Sequence, residues 1–215
     1  MISIWGFTFG KLPTLTSFDA SISREKLIQN GRIVVIDDEN PLIVEELRKV
    51  GLAVDHDKSG DDLSKLDNQL YDVAVVDFHG VGKRLGANQG LELLKHIRRV
   101  SPRTRLIAYT SRSLSASESE FFRLSHIVMP KDMGLGDSMK LIEDQLRSAF
   151  TKEHLFEALV SKLGVAGPEE KMKLQEALVK SLAKKNDGAL KSFITKAFGQ
   201  AAEKSVKYIL DRILD

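Results

Sequence analysis

Apolar residues follow two rhythms along this chain. Between residues 32 and 147, continuous apolar runs at 33–36, 73–76, 106–109 and 127–129 alternate with stretches where apolar positions recur every three or four residues. A continuous run marks a strand buried on both faces, and the helical period marks the helix that covers it. Ile43, Val44, Leu47 and Val50 predict one such helix, entered through Asn40 as N-cap and Pro41 as its first residue and ended by Gly51. Leu91, Leu94, Ile97 and Val100 predict another, closed by Pro102. Weaker signals give a second strand at 52–54, a short helix at 59–66 and a polar helix at 115–124. Five strand–helix repeats predict an α/β class: a doubly wound, five-stranded parallel sheet over residues 32–147.

The second rhythm is helical only and fills residues 148–215. Met139, Ile142, Leu146, Ala149, Phe150, Phe156, Val160 and Leu163 lie on one stripe, interrupted by Glu153, so one helix is expected to run past residue 150 as far as Gly164. Leu174, Leu178 and Leu182 mark a second helix, and Asn186-Asp187-Gly188 a turn and cap. Leu190, Phe193, Ile194, Ala197, Phe198, Ala201, Val206, Ile209 and Ile213 mark a third, long one. So wide an apolar stripe, with one shorter helix to cover it, is expected to pair with a second copy, making 148–215 an output and homodimerisation section. Residues 1–31 form an N-terminal extension. Ile2, Ile4, Trp5, Phe7 and Phe9 are expected to pack as a cover, and 23–29 as a short helix stopped by Gly31.

Composition narrows this picture only modestly. The chain of 215 residues is 42% hydrophobic and 29% charged, an ordinary globular balance with room for a sizeable core. A net charge of +2 says little about partners. Lysines 171, 173, 180, 184 and 185 make one helix basic, but acidic residues interrupt them and no helix-turn-helix pattern accompanies them, so nucleic-acid binding is not expected. The absence of cysteine excludes disulfides and thiolate chemistry and is compatible with a cytoplasmic setting. No apolar stretch reaches the roughly 20 residues of a membrane span, and the first residues lack the basic start of a signal peptide.

Candidate chemistry sits at the strand ends. The first run ends in Asp37-Asp38, the third in Asp77 before a glycine-bearing loop, the fourth in Thr110 and the fifth in Lys131. In open α/β sheets that edge is where sites are built. Converging carboxylates repel one another and call for a cation, and an aspartate can attack a phosphoryl group to form an acyl phosphate.

Taken in order, Val34-Val35-Ile36-Asp37-Asp38, Val75-Val76-Asp77, Gly90-Leu91-Glu92-Leu93-Leu94, Ile107-Ala108-Tyr109-Thr110-Ser111 and Met129-Pro130-Lys131 resemble the receiver domain of two-component response regulators. The resemblance covers about half the chain, from Arg32 to near Leu146. It implies a flavodoxin-like fold, Asp77 as phosphoacceptor, and a histidine kinase or phosphotransfer protein as donor. It also implies Mg2+ ligated by Asp38 and Asp77, by Asp37 through water and by the backbone carbonyl of His79, a hard-oxygen set suited to that ion. Lys131 is expected to pair with Asp77 and then with a phosphate oxygen, and Thr110 to bond another.

Departures touch output more than acceptance. Gly80 and Val81 stand where receivers carry Met-Pro, and the loop from Asp77 to Gly90 is long. Val128 replaces the aromatic three residues before the lysine, and Asp132 replaces the proline after it. Two other readings are a degenerate receiver serving as a constitutive interaction scaffold, and an aspartate-nucleophile phosphohydrolase with Glu39 two residues after Asp37. His154 is expected to be an ordinary surface histidine.

Overall fold

The computed structural model describes residues 14–19, 22–67, 70–111 and 116–214. A 3-10 turn, Leu15–Phe18, and helix α1, Arg24–Asn30, precede the sheet. The α/β section then runs β1 (Arg32–Ile36), α2 (Leu42–Lys49), β2 (Ala53–Asp57), α3 (Ser64–Asp67), β3 (Val73–Asp77), α4 (Gly90–Val100), β4 (Arg105–Thr110), α5 (Ala116–Leu124), β5 (Ile127–Pro130) and α6 (Leu135–Ala149). All neighbouring strands pair in parallel, in the order β2-β1-β3-β4-β5. This is the doubly wound arrangement expected from the apolar runs, in the flavodoxin-like order that the receiver resemblance implies. Its chain order reverses between β1 and β3, so their C-terminal ends flank the switch-point crevice.

Alternation along each strand builds the two faces. Ile33, Val35, Val73, Val75 and Ile107 point to one side, under Leu27 of α1, Leu47 of α2 and Leu146 of α6. Val34, Ile36, Ala74, Val76 and Leu106 point to the other, under Leu66, Leu94, Ile97 and Phe121. The polar-looking α5 is thus anchored by one fully buried ring, Phe121.

The chain continues through α7 (Lys152–Leu163), α8 (Pro168–Lys184), α9 (Gly188–Phe198), α10 (Gln200–Ser205) and α11 (Lys207–Leu214). Leu159, Leu174, Leu178, Leu190, Ile194, Ile209 and Ile213 form their common core, which Leu15 also enters.

Several expectations need correction. The single helix through residue 150 is two: α6 ends at Ala149, and Thr151 caps α7, its Oγ1 accepting the His154 N–H at 3.3 Å. The long third helix is three, broken at Gly199 (φ 86°) and Val206, so Ala197 and Ala201 lie exposed rather than on a buried stripe. Of the rest of that stripe, Leu190, Ile194, Val206, Ile209 and Ile213 are buried within the chain, and Phe193 and Phe198 are partly buried against the same core. Pro41 rather than Asn40 occupies the N-cap of α2. The helix expected over 59–66 shrinks to one turn, because Asp57 Oδ1 accepts the N–H groups of Ser59 and Gly60 and holds that segment as a loop. β2 reaches Asp57, three polar residues beyond its last buried position, Val54, because every residue pairs with β1. The extension packs on its own chain through α1 and Leu15; Ile2, Ile4, Trp5, Phe7, Phe9 and Ser115 lie outside the described residues.

Candidate functional site at the C-terminal edge of the sheet

Parallel pairing brings the strand-end residues together. Ile36 pairs with Val76, so Asp37 and Asp77 leave adjacent strands side by side, and Asp77 itself pairs with Tyr109. Carboxylate oxygens of Asp37, Asp38 and Asp77 lie within 4.8 Å of one another, with Asp37 and Asp77 buried and Asp38 exposed. Lys131, just beyond β5, reaches across: its Nζ donates to Asp77 Oδ2 at 2.8 Å and lies 2.9 Å from Asp37 Oδ2 and 3.7 Å from Glu39 Oε2. Thr110 is buried at the end of β4, and its carbonyl accepts the Lys131 N–H at 2.8 Å, which ties the lysine's backbone to the same edge. His79 lies in the loop after β3 with its ring edge-on to Phe78.

The electrostatics follow from burial and from three carboxylates sharing one ammonium. Burial raises the Asp77 carboxyl above its usual range, with Asp37 adding to the effect and Lys131 opposing it. Burial alone would make the Lys131 ammonium easier to deprotonate, yet Asp77 and Asp37 hold it above its ordinary range. Asp37 is thus held on both oxygens, Oδ2 facing the Lys131 ammonium at 2.9 Å and Oδ1 accepting the Glu39 N–H at 2.8 Å. Three carboxylates converging within 4.8 Å, two of them buried, with one ammonium between them, are a hard-oxygen donor set that fits a divalent cation.

Four residues shape this edge without having stood out as site residues. Tyr109 lies beneath Lys131, whose Nζ is 5.2 Å from the ring centroid. Gln89 Oε1 accepts the Gly80 N–H at 2.8 Å and folds the long loop back on itself. His56 Nε2 donates to the Asp37 carbonyl at 2.9 Å. Gly80 has φ 78°, and a Cβ there would lie 2.2 Å from the Asp38 carboxylate. Tyr109 beside the hydroxyl strand and a glycine where receivers carry methionine were the available signals. His56 and Gln89 gave none, since their roles depend on contacts across the fold. His154 is not a surface residue: its Nε2 donates to the Arg103 carbonyl at 2.7 Å between the sheet and α7.

No protein-family profile matches the sequence, and no curated protein is significantly similar to it. Solved structures are similar in shape. A CheY-like response regulator receiver domain from Methanospirillum hungatei JF-1 shares 18% identity at TM-score 0.47, over 55% of this chain and 95% of that one. A BeF3-activated DrrB receiver domain shares 22% identity at TM-score 0.45, over 54% and 97%. NtrX from Brucella abortus, solved with ADP, shares 16% identity at TM-score 0.49, over 77% of this chain but 40% of its own. Two of these three are receiver domains, and the sheet of this chain has the flavodoxin-like strand order β2-β1-β3-β4-β5.

Proposed function

We propose that the chain is a response regulator-like signalling protein in which Asp77 accepts a phosphoryl group from a histidine kinase or phosphotransfer protein. One observation carries the reading: Asp37, Asp38 and Asp77 converge within 4.8 Å at the sheet's switch point, with the Lys131 ammonium 2.8 Å from Asp77. An Asp77 carboxylate oxygen forms the new bond to phosphorus while the donor's P–N or P–O bond breaks. Lys131 then moves its hydrogen bond from Asp77 to a phosphoryl oxygen, and the Thr110 hydroxyl donates to another. Asp38 and Asp77, with Asp37 through water and the His79 carbonyl, would hold Mg2+, which neutralises charge on the transferring group. The outcome is a signalling phosphoprotein rather than a turnover enzyme, with residues 32–147 receiving the phosphoryl group and 148–215 carrying the output.

Val128 is 36% exposed on β5, so the switch does not run through an aromatic there. That observation favours a second reading, a constitutive scaffold whose edge is never phosphorylated. One experiment separates the two. With acetyl phosphate and Mg2+, intact-mass measurement is expected to find one added phosphoryl group on the wild type and none on Asp77→Asn. A wild type left unmodified under conditions that load a known receiver rejects the phosphoacceptor reading.

A further inference from the structure

A cavity lies at the other end of the sheet. Asp72, which precedes β3, is 1% exposed and ion-paired to Arg103 and to Arg212 of α11. Asp72 and Asp77 bracket a single strand, about 17 Å apart at roughly 3.3 Å per residue. Arg212 also donates to the Asn30 carbonyl at 2.6 Å and stacks on Phe150, 4.8 Å from its centroid. Its other side faces a cavity of about 390 Å3 between the 3-10 turn, α1 and the ends of α6, α8 and α11.

Two lysines, Lys26 and Lys185, face the cavity, beside Asp19 and beside Arg212, whose guanidinium is held by Asp72 and the Asn30 carbonyl. Asp19 is already engaged: its Oδ1 accepts the Lys152 backbone N–H at 2.7 Å, at the start of α7. Neither the Lys26 nor the Lys185 ammonium has an ion-pair partner among the described residues. Apolar walls are supplied by Phe18, Ile22, Phe150 and Leu182. A cationic rim over low-dielectric walls concentrates field on whatever anion enters. Cavities of this size and mixed character, at the junction of packed units, are typical of small-ligand sites.

Lys185 adds a second, independent observation. It ends α8 in the left-handed region, φ 49° and ψ 41°, where glycine is the low-cost residue. A lysine kept there at a local backbone cost, with its side chain on the cavity, suits a role in the ligand's binding.

We propose that this cavity binds a small organic anion with an apolar body, its acidic head held by Lys26 and Lys185 and its body resting on Phe18 and Phe150, beside the Arg212–Asp72 pair. Such a ligand would press on the Arg212–Asp72 link and so reach β3 from the end opposite Asp77. The test uses the full chain and 8-anilinonaphthalene-1-sulfonate, an aromatic sulfonate whose fluorescence rises on binding. Saturable binding near one probe per chain is expected, weakening as salt rises from 50 to 500 mM. Lys26→Gln and Lys185→Gln are each expected to weaken it about threefold, and together at least tenfold. The single variants keep the test valid if the double variant is unstable, and exposed Lys196→Gln, outside the cavity, is expected to leave the affinity unchanged. No saturable binding, equal affinity in wild type and lysine variants, or an equal loss in Lys196→Gln would each overturn the proposal.

Discussion

Gly80 is the residue on which the acidic edge turns most sharply. Its φ of 78° suits glycine, and the space a side chain would fill is taken by the Asp38 carboxylate. Gly80→Ala is expected to push Asp38 outward and destabilise the fold by about 1 kcal/mol from the backbone alone. Because Asp38 is one of three converging carboxylates, Mg2+ affinity measured by titration calorimetry is expected to fall at least tenfold while Asp77 stays in place. Affinity equal to wild type would mean that Asp38 takes no part in holding the ion. Lys131 is the complementary case, one ammonium serving Asp77, Asp37 and Glu39. Lys131→Ala is expected to lower stability by about 2 kcal/mol in metal-free urea unfolding, since it leaves two buried carboxylates facing each other. Added Mg2+ is expected to restore part of the loss.

At the scale of elements, the helix ends divide what periodicity joined. Thr151 caps α7 with its side chain, and Thr151→Ala is expected to cost about 1 kcal/mol. Gly199 has φ 86° and ψ 166°, a region open essentially to glycine alone, and nothing lies within 4 Å of where a Cβ would stand. Gly199→Ala therefore carries a backbone penalty of roughly 1–3 kcal/mol with no steric clash added. Denaturant unfolding of both variants is expected to rank Gly199→Ala as the more destabilised. The reverse order would mean that the break between α9 and α10 is not set by backbone conformation. Both signals stood in the sequence, a threonine before a polar turn and a glycine inside an apolar run. The unbroken apolar period hid them because a stripe can continue across two helices that share one core.

At the scale of the molecule, the helical section is tied to the N-terminal edge of the sheet by contacts between distant residues. His154 on α7 donates to the Arg103 carbonyl, Lys162 Nζ donates to the Val100 carbonyl at 2.8 Å, and Arg212 reaches Asp72. His126 lies edge-on to His154, and its Nδ1 accepts the Leu106 N–H at 2.8 Å, so this nitrogen carries no proton. Burial, with Arg105, His154 and Arg98 nearby, pushes His126 down to about 3. Burial lowers His154 as well. An unfolded histidine takes its proton near pH 6.5, so between that value and about 3 the unfolded chain binds more protons than the folded one. The contribution of His126 is therefore complete above pH 6.5 and is lost as pH falls, by about 2 kcal/mol at pH 5. Unfolding free energies at pH 7.5 and 5 are expected to differ less in His126→Gln than in wild type. Equal slopes would mean that His126 is protonated in the fold.

The sequence by itself determined the α/β class, the five strands, the two-sided burial of the central ones and the polar residues at their ends, because these depend on local period and on where an apolar run stops. Asp37, Asp77, Thr110 and Lys131 were legible for that reason, each being the first polar group after a buried run, and Asp38 as the neighbour of Asp37. Tertiary structure alone decided what those groups meet. Parallel register set the carboxylates side by side, and a reach across two strands put Lys131 between Asp77 and Asp37. It also decided that the helical stripes pack on one another around one core within the chain. A stripe records how much apolar surface must be covered. What covers it depends on the angles at which helices leave Thr151, Gly199 and Val206, and those are set by caps and by packing against the whole core.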